Sequence, residues 1–126
     1  MDTPNEQIKN HRDLITWQKG IKLVTAIYQA TKSFPREEIY GLTSQMRRAA
    51  VSIPANVAEG QGRRTPGEFI QFLGIARGSL YELDTHLEIA TSLDYVLSEP
   101  AQHLQAQIQE VTRLVNGLLR SLEAKV

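Results

Sequence analysis

The sequence predicts an all-α protein, an antiparallel up-down four-helix bundle. Three observations carry that expectation. Apolar residues recur at spacings of three and four in four separate runs, the period of helices that each bury one face. Two runs open on a hydroxyl residue followed closely by proline, at Thr65-Pro66 and Ser98-Glu99-Pro100, an arrangement that satisfies or removes orphan N–H groups at a helix start. No Asn-Gly or Asp-Gly hairpin lies between alternating segments, so strand signals are weak. Amphipathic helices with short connections pack as a bundle, and 4–3 seams suit small crossing angles.

The first helix is expected over 14–33. Its stripe reads Leu14, Trp17, Ile21, Val24 and Tyr28, widened by Leu23 and Ile27. Asp13 is placed to cap its start, and Phe34-Pro35 ends it, because the residue before proline is pushed out of the helical region. The second is expected over 37–60, on Ile39, Leu42, Met46, Ala49 and Ile53, with a stop at Gly60-Gln61-Gly62. Pro54 lies inside it and predicts a bend, since it offers no N–H to the Ala50 carbonyl. Asn56 falls in phase with Ala49 and Ile53, which predicts a polar seam residue that fixes register and needs partners. Glu59 and Arg63 stand four apart, acid first, an arrangement that favours a surface pair.

The third helix is expected over 66–92. Thr65 caps it, Pro66 occupies its first position, and Glu68 stands three after the cap. Its seam is Phe69, Leu73, Ala76, Leu80, Leu83, Leu87 and Ala90. Gly74 and Gly78 interrupt it one turn apart, each costing about 1 kcal/mol against alanine. The expected return is close approach by another helix, in the same chain or in a neighbouring subunit. The fourth helix is expected over 99–124, on Ala101, Leu104, Ile108, Val111, Val115, Leu118 and Leu122, broadened by flanking Leu114 and Leu119.

A length of 126 residues fits one domain. We expect a polar N-terminal segment, 1–12, followed by a single bundle domain, 13–126. The polar start predicts no secretory leader, and no run reaches the ~18 apolar residues of a membrane span. Cysteine is absent, which excludes disulfides, thiolate ligands and a cysteine nucleophile and fits a cytoplasmic protein. The 14 basic and 14 acidic residues cancel. They are unevenly placed: residues 1–80 carry a net +4 and residues 81–126 a net −4, which permits head-to-tail association of like subunits.

Catalytic signals are weak. The three histidines are scattered, and Glu82–His86 and Glu99–His103 are spaced by four, not by the three of a di-metal carboxylate bundle. Gly60-Gln61-Gly62 lacks the lysine of a phosphate loop, and Ser79 has no histidine at a telling spacing. The expectation is no enzyme, no metal and no cofactor. Arginine is the remaining lead. Arg47-Arg48 and Arg63-Arg64 bracket the second helix, Arg36 and Arg77 can join them, and the helix start at Thr65 favours anions. Neighbouring residues on a helix point about 100° apart, so each pair offers one outward arginine and one for an internal salt bridge. The candidate nucleic-acid contacts are therefore Arg47, Arg48, Arg63 and Arg64. Pro54, Asn56, Glu59, Gly74 and Gly78 are read as structural or interface residues.

Several blocks together carry a resemblance. They are Asp13-Leu14 with Trp17-Gln18-Lys19, Tyr40-Gly41-Leu42, Gln45-Met46-Arg47-Arg48-Ala49-Ala50, Ser52-Ile53-Pro54-Ala55-Asn56-Val57-Ala58-Glu59-Gly60, and Ala76-Arg77-Gly78-Ser79-Leu80-Tyr81-Glu82-Leu83. Over about residues 13–123 the chain resembles the bacterial four-helix bundle proteins of 23S rRNA intervening sequences. The resemblance implies a homopentameric ring without enzymatic activity. A related branch, the accessory variability proteins of diversity-generating retroelements, implies nucleic acid and a reverse transcriptase as partners. Those relatives are markedly basic, whereas this chain is neutral, so any RNA binding is expected to be weak. The competing expectation is a module that docks another protein.

Overall fold

The computed structural model describes residues 8–126. A 3-10 turn at His11–Asp13 precedes helix α1, Ile15–Thr31, and a second 3-10 turn at Arg36–Glu38 precedes α2, Leu42–Gln61. Helices α3, Pro66–Ser92, and α4, Ser98–Glu123, follow, and no strand forms among the described residues. α2 packs against α1 and α3, and α4 packs against α3 and α1, so the four helices enclose one apolar core.

The start of α1 differs from the expectation. Asp13 does not cap it: its Oδ2 accepts the Lys9 N–H at 2.7 Å and the Asn10 N–H at 3.3 Å, closing the 3-10 turn instead. Those backbone bonds, Lys9 first, hold the Asp13 carboxyl below its ordinary pKa. The buried face of α1 is also rotated. Thr16, Gly20, Leu23, Ile27 and Thr31 face inward, while Ile21 and Tyr28 are 38% and 40% exposed. The cause is Pro54 of α2. A Cβ on Gly20 would lie 3.3 Å from the Pro54 Cβ, so the bare backbone at 20 is what admits the neighbouring helix.

α2 starts later than its apolar pattern suggests, because Arg36–Glu38 forms the 3-10 turn and leaves Ile39 outside the core. Glu38 Oε1 accepts the Leu42 N–H at 3.1 Å and satisfies one orphan donor of the new helix. From there α2 runs as one helix through Pro54, which is buried. It ends at Gly62 in the right-handed region rather than in a left-handed glycine cap. Asn56 is half-buried and lies beside the core seam, where Val57 takes the inward position. Its Nδ2 donates to the Ser52 carbonyl and Oγ, at 2.8 and 2.9 Å.

α3 matches its expected bounds. Thr65 Oγ accepts the Glu68 N–H at 3.1 Å, and Leu73, Ala76, Leu80, Leu83, Leu87 and Ala90 are buried. It closes with Tyr95 N–H on the Ala90 carbonyl and Asp94 N–H on the Thr91 carbonyl. This closure needs one left-handed residue, which Asp94 supplies at φ 62°. α4 begins at Ser98 itself, with Leu97 in the cap position and no side-chain cap. Along α4, Leu119 rather than Leu118 is fully inward.

Candidate functional site

The structure separates the four candidate arginines. From Arg48 to the end of α2 at Gln61 is about 20 Å of helix rise, and Arg63 lies beyond that end, so the pairs stand apart. Arg47 turns inward: its Nε–H donates to Thr31 Oγ at 2.8 Å, and its guanidinium lies 4.6 Å over the Tyr28 ring. Arg48 points outward into a polar groove between α2 and α3 that also holds Gln45, Ser52, Ser79 and Glu82. The Ser52 and Ser79 hydroxyls meet there at 2.9 Å. Arg63 reaches Glu59 at 2.9 Å, as its spacing predicted, and stacks over Phe72. Arg64 is exposed, and no carboxylate lies within 4.0 Å of Arg48 or Arg64 among the described residues.

The glycines also separate. A Cβ on Gly60 would lie 2.8 Å from both Phe69 Cδ1 and Phe72 Cβ, so α3 approaches α2 closely at Gly60. Nothing lies within 4 Å of a Cβ on Gly74 or Gly78. Close approach at those two by a helix of the same chain is thus overturned, because they lie on the outer face of α3. Exposed beside them are Ile75, Tyr81 and Ile89.

Arg36 lines a pocket at the α1–α2 connection, and Arg77 donates to Asn116 Oδ1 of α4 at 3.2 Å. Among the described residues no group of three or more His, Asp or Glu side chains gathers to hold a metal, and no helix is long and apolar enough to cross a membrane. Three contacts escaped the sequence reading: the Ser52–Ser79 pair, the Tyr95 hydroxyl donating to Glu38 Oε2 at 3.0 Å, and His86. His86 is buried beside Glu82, at 3.7 Å, with Nδ1 unpaired. The Ser52–Ser79 and Tyr95–Glu38 pairs carry no local signal, since each depends on which element lies opposite; Glu82 and His86 stand four apart on α3, a spacing visible in the sequence, and only the burial of His86 is not.

With this geometry in place, the comparison with known families is decisive. A family model described as 23S rRNA-intervening sequence protein matches residues 12–117. The chain belongs to the 23S rRNA-intervening sequence protein family. The matched region holds all four arginines, both outer glycines and the α2–α3 groove. The fold is similar to that of a protein of unknown function from the S23 ribosomal protein family of Bacteroides thetaiotaomicron, with a TM-score of 0.78 at 21% identity, covering 84% of this chain and 96% of that one. At that identity the likeness concerns the fold. No curated protein is found to match the chain.

Proposed function

We propose that this member of the 23S rRNA-intervening sequence protein family is a non-enzymatic, self-associating scaffold that contacts RNA weakly through Arg48, Arg63 and Arg64. The observation that carries the reading is the outer face of α3. Gly74, Gly78, Tyr81, Thr85 and Ile89 recur there at spacings of four and three, flanked by Ile75, all exposed. Two bare glycines one turn apart let a second backbone come close. Repetition around a ring, a homopentamer in the family's manner, would multiply the few outward arginines of one subunit. The up-down antiparallel course within each subunit is supported by its contacts. Gly20 meets Pro54 while Thr31 meets Arg47, and Ser52 meets Ser79 while Gly60 meets Phe69. In both pairs one helix ascends as its neighbour descends.

The test is fluorescence anisotropy with a labelled single-stranded RNA at low and moderate salt. One subunit with three arginines predicts a slope of log affinity against log salt near −2, at about −0.7 per phosphate. A steeper slope is expected, because several subunits contribute. Arg48→Glu/Arg64→Glu should weaken binding. Equal affinity in both proteins, or no binding at low salt, removes RNA and leaves protein docking. A specific observation favours that second reading, with a nucleic-acid-associated protein such as a reverse transcriptase as partner. Tyr40 and Leu97 are 94% and 74% exposed, on two loops that the Tyr95–Glu38 bond joins at one end of the bundle.

A further inference from the structure

The connection between α1 and α2 borders an open pocket of about 310 Å³ that plays no part in the proposed function. Three cations line it, Lys32, Arg36 and Arg47, together with Thr31 and Thr43. The rest of the lining is apolar, from Phe34, Pro35 and Ile39, and no carboxylate is among it. None of the three cations has a carboxylate within 4.0 Å among the described residues. The acidic neighbours in sequence, Glu37 and Glu38, form no ion pair with them. Glu38 is committed to the Leu42 N–H and the Tyr95 hydroxyl, and Glu37 does not line the pocket.

The pocket is built rather than incidental. Arg47 is half-buried and fixed, by its bond to Thr31 Oγ and by the Tyr28 ring beneath it. Three of its five N–H donors are left without a partner, since Nη2 reaches only the Tyr28 carbonyl, at 3.5 Å. Thr43 is only 5% exposed. Thr43 lines the pocket, and no side-chain hydrogen bond of its hydroxyl forms among the described residues. It is the second residue of α2, whose positive end adds to the field there.

We propose that this pocket binds the phosphoryl group of a phosphomonoester, held by Arg47, Lys32, Arg36 and the Thr43 hydroxyl, with the organic part against Pro35 and Ile39. Three positive charges without a paired carboxylate suit a group carrying about −1.5 to −2 with three acceptor oxygens, and a guanidinium fork fits phosphate oxygens two at a time. The volume lies at the small end of the range for small-molecule sites. The pocket shares no residue with Arg48, Arg63 or Arg64, so it stands or falls apart from the RNA reading.

Isothermal titration calorimetry with a nucleoside 5′-monophosphate, inorganic phosphate and the unphosphorylated nucleoside tests the proposal on the full chain. The monophosphate should bind, phosphate should bind more weakly, and the nucleoside should not bind. Lys32→Ala/Arg36→Ala removes two exposed cations without touching the Arg47–Thr31 contact and should weaken the monophosphate by about tenfold. Arg48→Glu/Arg64→Glu should leave it unchanged. A 5′-phosphorylated oligonucleotide that binds tighter than both its 5′-hydroxyl form and the mononucleotide assigns the group to a strand end. Without that preference the ligand is a free phosphomonoester, and either result supports phosphoryl recognition. No monophosphate binding at low salt, equal affinity for nucleoside and monophosphate, or an unchanged affinity in Lys32→Ala/Arg36→Ala overturns it.

Discussion

Tyr95 joins two loops through one hydroxyl. Its donation to Glu38, then burial and the charges of Glu38 and Glu37, raise its pKa above the ordinary 10.0. A raised folded-state pKa means the protonated form stabilises the fold. That contribution is complete below the unfolded value and fades as pH rises through the higher folded one. The melting temperature should therefore fall above pH 10 more steeply in wild type than in Tyr95→Phe, which has no proton to lose there; thermal melts followed by circular dichroism on both sides of that pH will read it. The loss from Tyr95→Phe at neutral pH should be smaller than that from Leu83→Ala. Leu83 has 0% exposure, and truncating such a residue costs about 2–5 kcal/mol. The two residues also mark what the sequence discloses. Leu83 is legible because its burial repeats a local period, whereas the Tyr95–Glu38 pair spans 57 residues and has no local signature. The arginine pairs fall between. That one member of Arg47-Arg48 turns inward follows from helix geometry, but its partner proves to be a threonine hydroxyl and a ring rather than a carboxylate.

On the scale of elements, glycine shows where helices meet and where they do not. Gly60→Ala would push a methyl to 2.8 Å from Phe72 Cβ, close to the α3 backbone, and from Phe69 Cδ1. Overpacking of about 1–3 kcal/mol outweighs the roughly 1 kcal/mol gained in helix propensity, so the variant should lose stability. Gly78→Ala meets nothing and should gain about 0.5–1 kcal/mol in dilute protein. Urea unfolding of both, compared by midpoint at constant slope, reads the opposite signs. A common sign would overturn the assignment of Gly60 as the helix crossing. The sequence reads Gly60 as part of a helix stop and Gly78 as an interruption of an apolar run, and neither reading says which glycine meets a neighbour; only the facing helix shows that. The same gap explains α1. Its apolar residues are broad enough for two faces, and Pro54 against Gly20 selects the face that carries Leu23 and Ile27. Where a seam is narrow and capped, as in α3, period and cap together fix both bounds and burial.

For the whole molecule, the outer face of α3 and the uneven charge make different demands on assembly. A closed ring uses a heterologous contact, in which one patch of a subunit meets a different patch of the next. Two such contacts of ordinary size bury about 1,600 Å² of each subunit, close to a fifth of the chain's 7839 Å² surface. The α3 face offers small and apolar groups for one patch. The net +4 of residues 1–80 and −4 of residues 81–126 offer complementarity between neighbours, but exposed charges at that density are screened within about 3 Å at 1 M salt. Apolar contact is not. If the α3 face dominates, light scattering across a gel-filtration peak should give a fixed multiple of the 14.2 kDa chain mass at micromolar protein, unchanged between low salt and about 1 M. Gly78→Leu should then lower the mass to that of one chain while the helical circular dichroism persists, because the site touches nothing within the subunit. Dissociation by salt with Gly78→Leu still assembled would give the contact to the charged halves instead. A mass of one chain under every condition would remove self-association, and with it the multiplication of arginines on which RNA contact by so neutral a protein depends.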